Sequence, residues 1–191
     1  MHFKESLIFF RRFAGNPGRI GSVTPSSRFL TRAMLNKVDW QNVNAVAELG
    51  AGTGVFTREI VKRAKPDTKI LVFEIDPDLQ KMIMNENHDH EGLKIYSDAQ
   101  ELNNIMKDEG INELDCVLSS LPFTVLPQAM TKNILDAVQL SLKPEGNFVA
   151  YQYSSIMKSK LTERFKKIST SFVLFNIPPA FVYDCRGDRR K

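Results

Sequence analysis

Residues Val46 to Thr57 read V-A-E-L-G-A-G-T-G-V-F-T. The run Val43 to Leu49 is mostly apolar, as a parallel strand covered on both faces should be, and it stops at Gly50, Gly52 and Gly54 before a helical pattern begins. Three alternating glycines permit positive φ and let a ligand approach the backbone closely. A dinucleotide fingerprint needs G-x-G-x-x-G, whereas here the third glycine is Gly54 and Val55 holds the other position. Beyond Gly54, the apolar run Ile70 to Phe73 ends in Glu74, an acid placed to accept hydrogen bonds from two ribose hydroxyls. Strand, glycine turn, helix, strand and acid together predict a doubly wound α/β domain that binds a nucleoside.

Outward from that stretch, a helix is expected over Val55 to Ala64, a strand over Lys69 to Ile75, and a helix opening at Asp76-Pro77, since proline suits a first turn. A strand at Leu93 to Tyr96 ends in Ser97-Asp98-Ala99, and another at Leu114 to Ser119 runs into Ser120-Leu121-Pro122-Phe123. A helix around Gln128 to Leu142, a turn at Lys143 to Gly146, a strand at Asn147 to Tyr153 and a basic helix to about Ile168 follow. The end, S-F-V-L-F-N-I-P-P-A-F-V-Y-D-C-R, reads as two strands broken at Pro178-Pro179. His88 and His90 fall in the polar stretch N-E-N-H-D-H-E-G, which reads as a solvated loop rather than a metal site. No metal is expected.

A chain of 191 residues has room for one α/β domain, here an extension over 1–40 and a core over 41–191. No apolar run approaches the roughly 20 residues of a membrane-spanning helix. The start, M-H-F-K-E-S-L-I-F-F-R-R-F-A-G, has the wrong charge arrangement for a cleaved secretory signal. Cys116 and Cys185 lack metal-ligand spacing, so reduced thiols and a cytoplasmic location are expected. The net charge of +4 is concentrated early: Lys4, Arg11, Arg12, Arg19, Arg28, Arg32 and Lys37 face only Glu5 and Asp39. A basic end points to an anionic partner.

On a helical wheel Phe3, Leu7, Phe10, Phe13 and Ala14 share one sector opposite Lys4, Glu5, Arg11 and Arg12, and the pattern stops at Gly15-Asn16-Pro17-Gly18. Two readings stay open, an element lying in a membrane interface and a lid packed on the domain. Burying about five large apolar side chains yields roughly 8 to 15 kcal/mol, and ordering some 14 residues costs a comparable amount. Attraction of about 1 kcal/mol per basic residue to anionic lipid would then decide binding, which predicts reversible association with the inner face of the membrane. After the loop from Gly21, a helix capped by Ser26 or Ser27 should present free amides, with Arg28 adding positive charge.

E-L-G-A-G-T-G, F-E-I-D-P, S-D-A and S-S-L-P-F, in this order and spacing, resemble the class I S-adenosylmethionine-dependent methyltransferases. The resemblance implies a Rossmann-like fold with a seven-stranded, mostly parallel sheet, helices on both faces and the last strand antiparallel. It implies S-adenosylmethionine as cofactor, held by Glu48, Gly50, Ala51, Gly52, Gly54, Glu74, Ile75, Asp98, Ala99 and Ser119. In that role Asp98 accepts a hydrogen bond from the adenine amino group; alternatively it caps the next helix.

Across nearly its whole length the chain resembles the bacterial soluble-type phosphatidylethanolamine N-methyltransferases, through the amphipathic start, G-S-V-T-P-S-S-R-F-L, S-S-L-P-F and N-I-P-P-A-F-V-Y, with Ser120 where glycine is usual in that group. More distantly it resembles the rRNA adenine dimethyltransferases, whose matching tetrapeptide begins with Asn or Asp. Ser120 removes that adenine acceptor, so nucleic acid is not expected as a partner. The implied reaction is attack by a phospholipid amine on the sulfonium methyl group. Tyr153, the Ser119 and Ser120 hydroxyls and backbone carbonyls near Pro122 are candidates to orient the amine. Phe123, Tyr151 and Tyr153 can surround a methylated cation, and Arg28 and Arg186 are candidates for the lipid phosphate. Two alternatives remain, an rRNA adenine-N6 methyltransferase and a non-catalytic cofactor-binding membrane adaptor.

Overall fold

A computed structural model describes residues 27–188. The amphipathic stretch Phe3 to Phe13 and the basic residues up to Arg19 lie outside the described residues. Seven strands form one sheet in the order β3-β2-β1-β4-β5-β7-β6: β1 (Ala45–Leu49), β2 (Lys69–Phe73), β3 (Leu93–Tyr96), β4 (Leu114–Ser119), β5 (Leu142–Gln152), β6 (Phe165–Val173) and β7 (Ala180–Asp188). The first five are parallel, and β7 runs antiparallel to both β5 and β6. The strand order reverses between β1 and β4, the switch point where open α/β sheets bind ligands at their carboxyl edge.

Helices cover both faces because the strands are apolar on both sides, as in Val46, Ala47, Leu49, Val117 and Leu118, all buried. One face carries α1 (Arg28–Leu35), α2 (Val55–Arg63) and α3 (Pro77–Glu86), through Leu30, Met34, Phe56, Ile60 and Ile83. The other carries α4 (Leu102–Asp108), α5 (Gln128–Ser141) and α6 (Met157–Thr162), through Leu102, Met106, Ile134, Leu135, Val138, Met157 and Leu161. Each such buried side chain contributes roughly 1.5–3 kcal/mol.

Ser27, rather than Ser26, caps α1, its hydroxyl accepting from the Leu30 amide at 3.2 Å. The Ser27 amide donates to Asn176 Oδ1 at 3.0 Å, beside the β6–β7 turn. At the other end of α1, the Lys37 carbonyl accepts from Asn147 Nδ2 at 3.1 Å. The helix therefore runs from the carboxyl edge of the sheet to its amino edge.

Three local expectations are corrected. The turn expected at Lys143 to Gly146 lies within β5, as an irregularity where the pairing with β4 shifts register. The basic helix expected to reach Ile168 ends at Thr162, and β6 begins at Phe165. There Ile168, Thr170 and Phe172 alternate with Lys167, Ser169 and Ser171, and lysines suit an edge strand. His88 is exposed as a loop residue should be, but the ring nitrogens of His90 are buried.

Candidate active site

Register brings the predicted cofactor motifs to one edge. Leu49 pairs with Phe73 and Ser119, Phe73 with Tyr96, and Ser119 with Ala150. The carboxyl ends of β3, β2, β1, β4 and β5 thus stand in a row roughly 20 Å long, at about 4.8 Å per strand. That row carries Asp98, Glu74, the glycine turn, Ser119-Ser120 and Tyr153 in spatial order.

The turn is built from backbone. Gly50, Gly52 and Gly54 have φ of 80°, 57° and 72°, a region that L side chains rarely adopt. The Gly50 amide donates to the Phe73 carbonyl at 2.8 Å, tying the turn to β2. A Cβ on Gly50 would stand 2.8 Å from Leu121 Cδ2, whereas one on Gly52 would meet nothing within 4 Å. Gly52 therefore presents bare backbone to open space, as a cradle for a polar ligand should.

Glu74 closes the cradle from β2. Its Oε2 accepts from the Gly52 amide at 2.7 Å and its Oε1 from the Asp76 amide at 2.9 Å. Burial raises its pKa, and the Asp76, Gly52 and Ile75 amides act against that rise. A carboxylate offers about four lone-pair positions, so capacity remains for two ribose hydroxyls. Half-buried Ile75 follows Glu74 on the same edge. Asp98 is half-buried and its Oδ1 accepts from the Gln100 amide at 2.9 Å, so it caps the single turn Ala99–Glu101, while its Oδ2 accepts from Gln100 Nε2 at 3.4 Å. Ala99 is buried behind it.

Glu48 lies within β1, 1% exposed. Its Oε2 accepts from Thr57 Oγ1 at 2.6 Å and its Oε1 is buried without a hydrogen-bond partner. Burial pushes its pKa up to about 7, Thr57 opposes the rise and the nearby Glu74 adds to it. An orphaned acceptor beside open glycine backbone suits a ligand that brings its own amino group. The residues present therefore fit S-adenosylmethionine: Glu74 and Asp98 would hold its nucleoside, and the glycine turn and Glu48 its amino-acid end.

A pH dependence follows. Folded Glu48 holds its proton more tightly than the unfolded chain does, so its contribution to stability is complete below pH 4.5 and is lost as pH rises through about 7. The full change is roughly 3 kcal/mol. The cofactor-free protein should melt at progressively lower temperature between pH 5 and 8, and Glu48→Gln should flatten that slope. An equally steep slope in the variant would show that Glu48 does not titrate there.

On the acceptor side, the Ser120 amide donates to the Leu49 carbonyl at 2.9 Å. Ser119 Oγ accepts from the Leu121 amide at 3.2 Å, so this hydroxyl is committed to shaping the turn. Pro122 is half-buried beside it. Gln152, buried at the end of β5, donates from Nε2 to the Leu121 carbonyl at 2.8 Å. This clamp was not anticipated from sequence; its signal is a glutamine closing the apolar strand N-F-V-A-Y-Q. Thr57 and Asn176 were missed as well, since short polar side chains in apolar surroundings carry no spacing signature.

Tyr153 is partly exposed and edge-on to Tyr151 at 5.6 Å. Burial of its hydroxyl, the neighbouring Tyr151 and a hydrogen bond to it push the Tyr153 pKa up, with a hydrogen bond to Asn176 opposing. The group stays a phenol, able to orient an amine through its oxygen but not to take its proton. Phe123 is 2% exposed and packs edge-on to Phe148 at 6.4 Å, so its ring belongs to the core and not to a cation cage. Arg186 pairs across the sheet with Asn147 and donates to the Lys37 carbonyl at 3.1 Å. That is the amino edge of the strands, roughly 10 Å below Ala150 at 3.3 Å per residue, which removes Arg186 from the lipid-phosphate role. Arg28 is exposed at the carboxyl edge, 5.0 Å from the Phe29 ring centroid.

Comparison with known proteins agrees with this geometry. Residues 26–141 match the model of the family described as Ribosomal RNA adenine dimethylase. An ornithine lipid N-methyltransferase of Singulisphaera acidiphila is 31% identical over 96% of this chain and 97% of its own length. A probable ribosomal RNA small subunit methyltransferase A of Methanococcus maripaludis is 24% identical over 86% of this chain but only 58% of its own length. Among solved structures, the N-methyltransferase NodS from Bradyrhizobium japonicum, in complex with S-adenosyl-L-homocysteine, superposes with a TM-score of 0.73 at 11% identity, covering 95% of this chain and 98% of that one. The chain therefore belongs to the ribosomal RNA adenine dimethylase family and is a Rossmann-like, S-adenosylmethionine-dependent class I methyltransferase.

Proposed function

We propose that this enzyme methylates the primary amine of a membrane lipid head group, at the membrane surface. The observation that carries the proposal is Ser120 at the carboxyl end of β4, where adenine-N6 enzymes place Asn or Asp to accept from the target amine. Phosphatidylethanolamine and ornithine lipid both offer a primary amine. Resemblance to the phosphatidylethanolamine enzymes favours the first, and the full-length similarity to an ornithine lipid N-methyltransferase favours the second. The shared chemistry is a lone pair on nitrogen attacking an activated methyl carbon.

When bound, the cofactor would supply that methyl group on a sulfonium; the N–C bond would form as the S–C bond breaks and a neutral thioether leaves, with the amine's proton released to solvent, so no covalent enzyme intermediate is needed. The protein's task is alignment and exclusion of water. The Tyr153 phenol and the Ser120 hydroxyl accept hydrogen bonds from the incoming amine and aim its lone pair. An amine with a pKa near 10.4 is protonated at pH 7, and freeing its lone pair costs about 4 to 5 kcal/mol, so methyl transfer should accelerate as pH rises.

Incubating the protein with methyl-labelled cofactor and, separately, phosphatidylethanolamine vesicles, ornithine lipid vesicles or ribosomal RNA tests the assignment. Label is expected in lipid. Label in RNA would transfer the acceptor to adenine, and cofactor binding without label in any arm would make the protein a non-catalytic adaptor.

A further inference from the structure

The carboxyl edge of the sheet is divided in character. Its β2–β3 half carries the acids Glu74, Asp76 and Asp98, and its β5–β7 half carries exposed apolar side chains. In the turn between β6 and β7, Leu174, Phe175 and Ile177 are 63%, 70% and 76% exposed. Phe29, at the start of α1 and 44% exposed, stands beside them, its ring centroid 5.4 Å from that of Phe175. Ile156, in the connection leaving β5 at the same edge, is also exposed. Large apolar groups gathered at one edge of a folded domain mark an interaction surface.

Its shape and chemistry select the partner. The tip is a protruding turn, not a groove, and Pro178 and Pro179 follow it, removing two backbone donors that would otherwise have to be desolvated. Asn176 points inward between exposed neighbours: it is 4% exposed, accepts from the Ser27 amide at 3.0 Å, donates to the Pro178 carbonyl at 2.7 Å and is hydrogen-bonded to Tyr153. The turn is thus held in shape before anything binds, and it is tied to the acceptor side of the site. Arg28, beside Phe29, puts a positive charge at the tip, and exposed Lys158 follows Ile156 two residues on. Apolar tip, basic flank and rigid attachment match an anionic bilayer interface.

We propose that the β6–β7 tip, Leu174, Phe175 and Ile177 with Phe29 beside them, enters the bilayer interface and holds the β5–β7 side of the active-site edge against the lipid surface. The proposal rests on the lipid acceptor assigned above and adds a docking element to it. A lipid amine then reaches the edge beside Tyr153 while its acyl chains stay in the bilayer.

Cys116 and Cys185 are buried, so a Phe175→Cys variant of the full chain takes an environment-sensitive dye at one place. With vesicles containing about one-third phosphatidylglycerol the dye emission should shift to the blue and be quenched by a bilayer-borne quencher. The triple variant Leu174→Ser, Phe175→Ser, Ile177→Ser should partition to those vesicles about 10-fold less or weaker, with cofactor affinity unchanged as the check on folding. Unchanged dye emission, or parent-like partition of the triple variant, overturns the proposal. So does a dye already shielded in buffer and exposed by deleting residues 1–26, which would assign the patch to that segment. Label transfer to detergent-dispersed lipid is read separately. A parent protein that docks through the tip yet methylates no lipid loses the assigned acceptor and keeps the docking element.

Discussion

Glu74→Ala should weaken S-adenosylmethionine binding by about 100-fold or more and lower the melting temperature by roughly 5 to 10 °C. The affinity loss follows from two hydrogen bonds between a carboxylate and ribose hydroxyls, each worth about 1.5 to 3 kcal/mol. The stability loss has a separate origin. Glu74 accepts from the Gly52 amide at 2.7 Å and the Asp76 amide at 2.9 Å, and each amide left without an acceptor costs about 1 to 3 kcal/mol. Relief from burying a carboxylate whose pKa is raised by desolvation offsets part of this. In a domain of this size each kcal/mol moves the melting temperature about 2 to 4 °C. Glu74→Gln keeps one carbonyl acceptor and should lose less on both counts. Calorimetric titration and thermal melts read the two effects independently, and full affinity in Glu74→Ala would remove this residue from the nucleoside site.

The second large effect separates conformational strain from ligand contact. Gly52 and Gly110 have nearly equal φ, 57° and 63°, and at both an added Cβ meets nothing within 4 Å. Alanine should therefore cost each position about the same, roughly 1 to 2 kcal/mol for the left-handed conformation. Their surroundings differ. Gly52 lies in the turn at the carboxyl edge, whereas Gly110 precedes β4 at the amino edge. Gly52→Ala is expected to lower cofactor affinity about 10-fold or more, because its methyl group fills the space a ligand would use, while Gly110→Ala leaves affinity unchanged. Equal affinities in the two variants would mean that the glycine turn is not the cofactor cradle.

Much of the fold was legible because its signals are local. Apolar runs of four to six residues, glycine or proline at their ends and acids just beyond them placed β1 to β4 within about two residues. Legibility faded after Gln128. The segment from Lys158 to Lys167 is rich in lysine and reads as a continuous helix by composition, yet pairing with β7 makes its second half a strand, since tertiary contacts override weak propensity. The same limit separated the two arginine candidates. Arg28 and Arg186 look alike in sequence, but only the antiparallel return of β7 reveals that Arg186 lies at the opposite edge from the site. Phe123 was drawn to the acceptor side by its motif and taken by the core because Phe148 on β5 completes its packing.

The sequence by itself determined the cofactor class and the sheet edge that carries the cofactor motifs, because a glycine turn and acids placed just beyond apolar runs mark strand ends locally, and parallel pairing then aligns those ends. The tertiary structure alone decided the protonation of Glu48, the contact of Tyr153 with Tyr151 and the apolar rim formed by Phe29 with Leu174, Phe175 and Ile177. The first and last of these depend on what distant chain segments bring or bury: Ser27 and Asn176 meet across 149 residues. Desolvation and exposure are properties of the assembled surface, so residue order along the chain does not carry them.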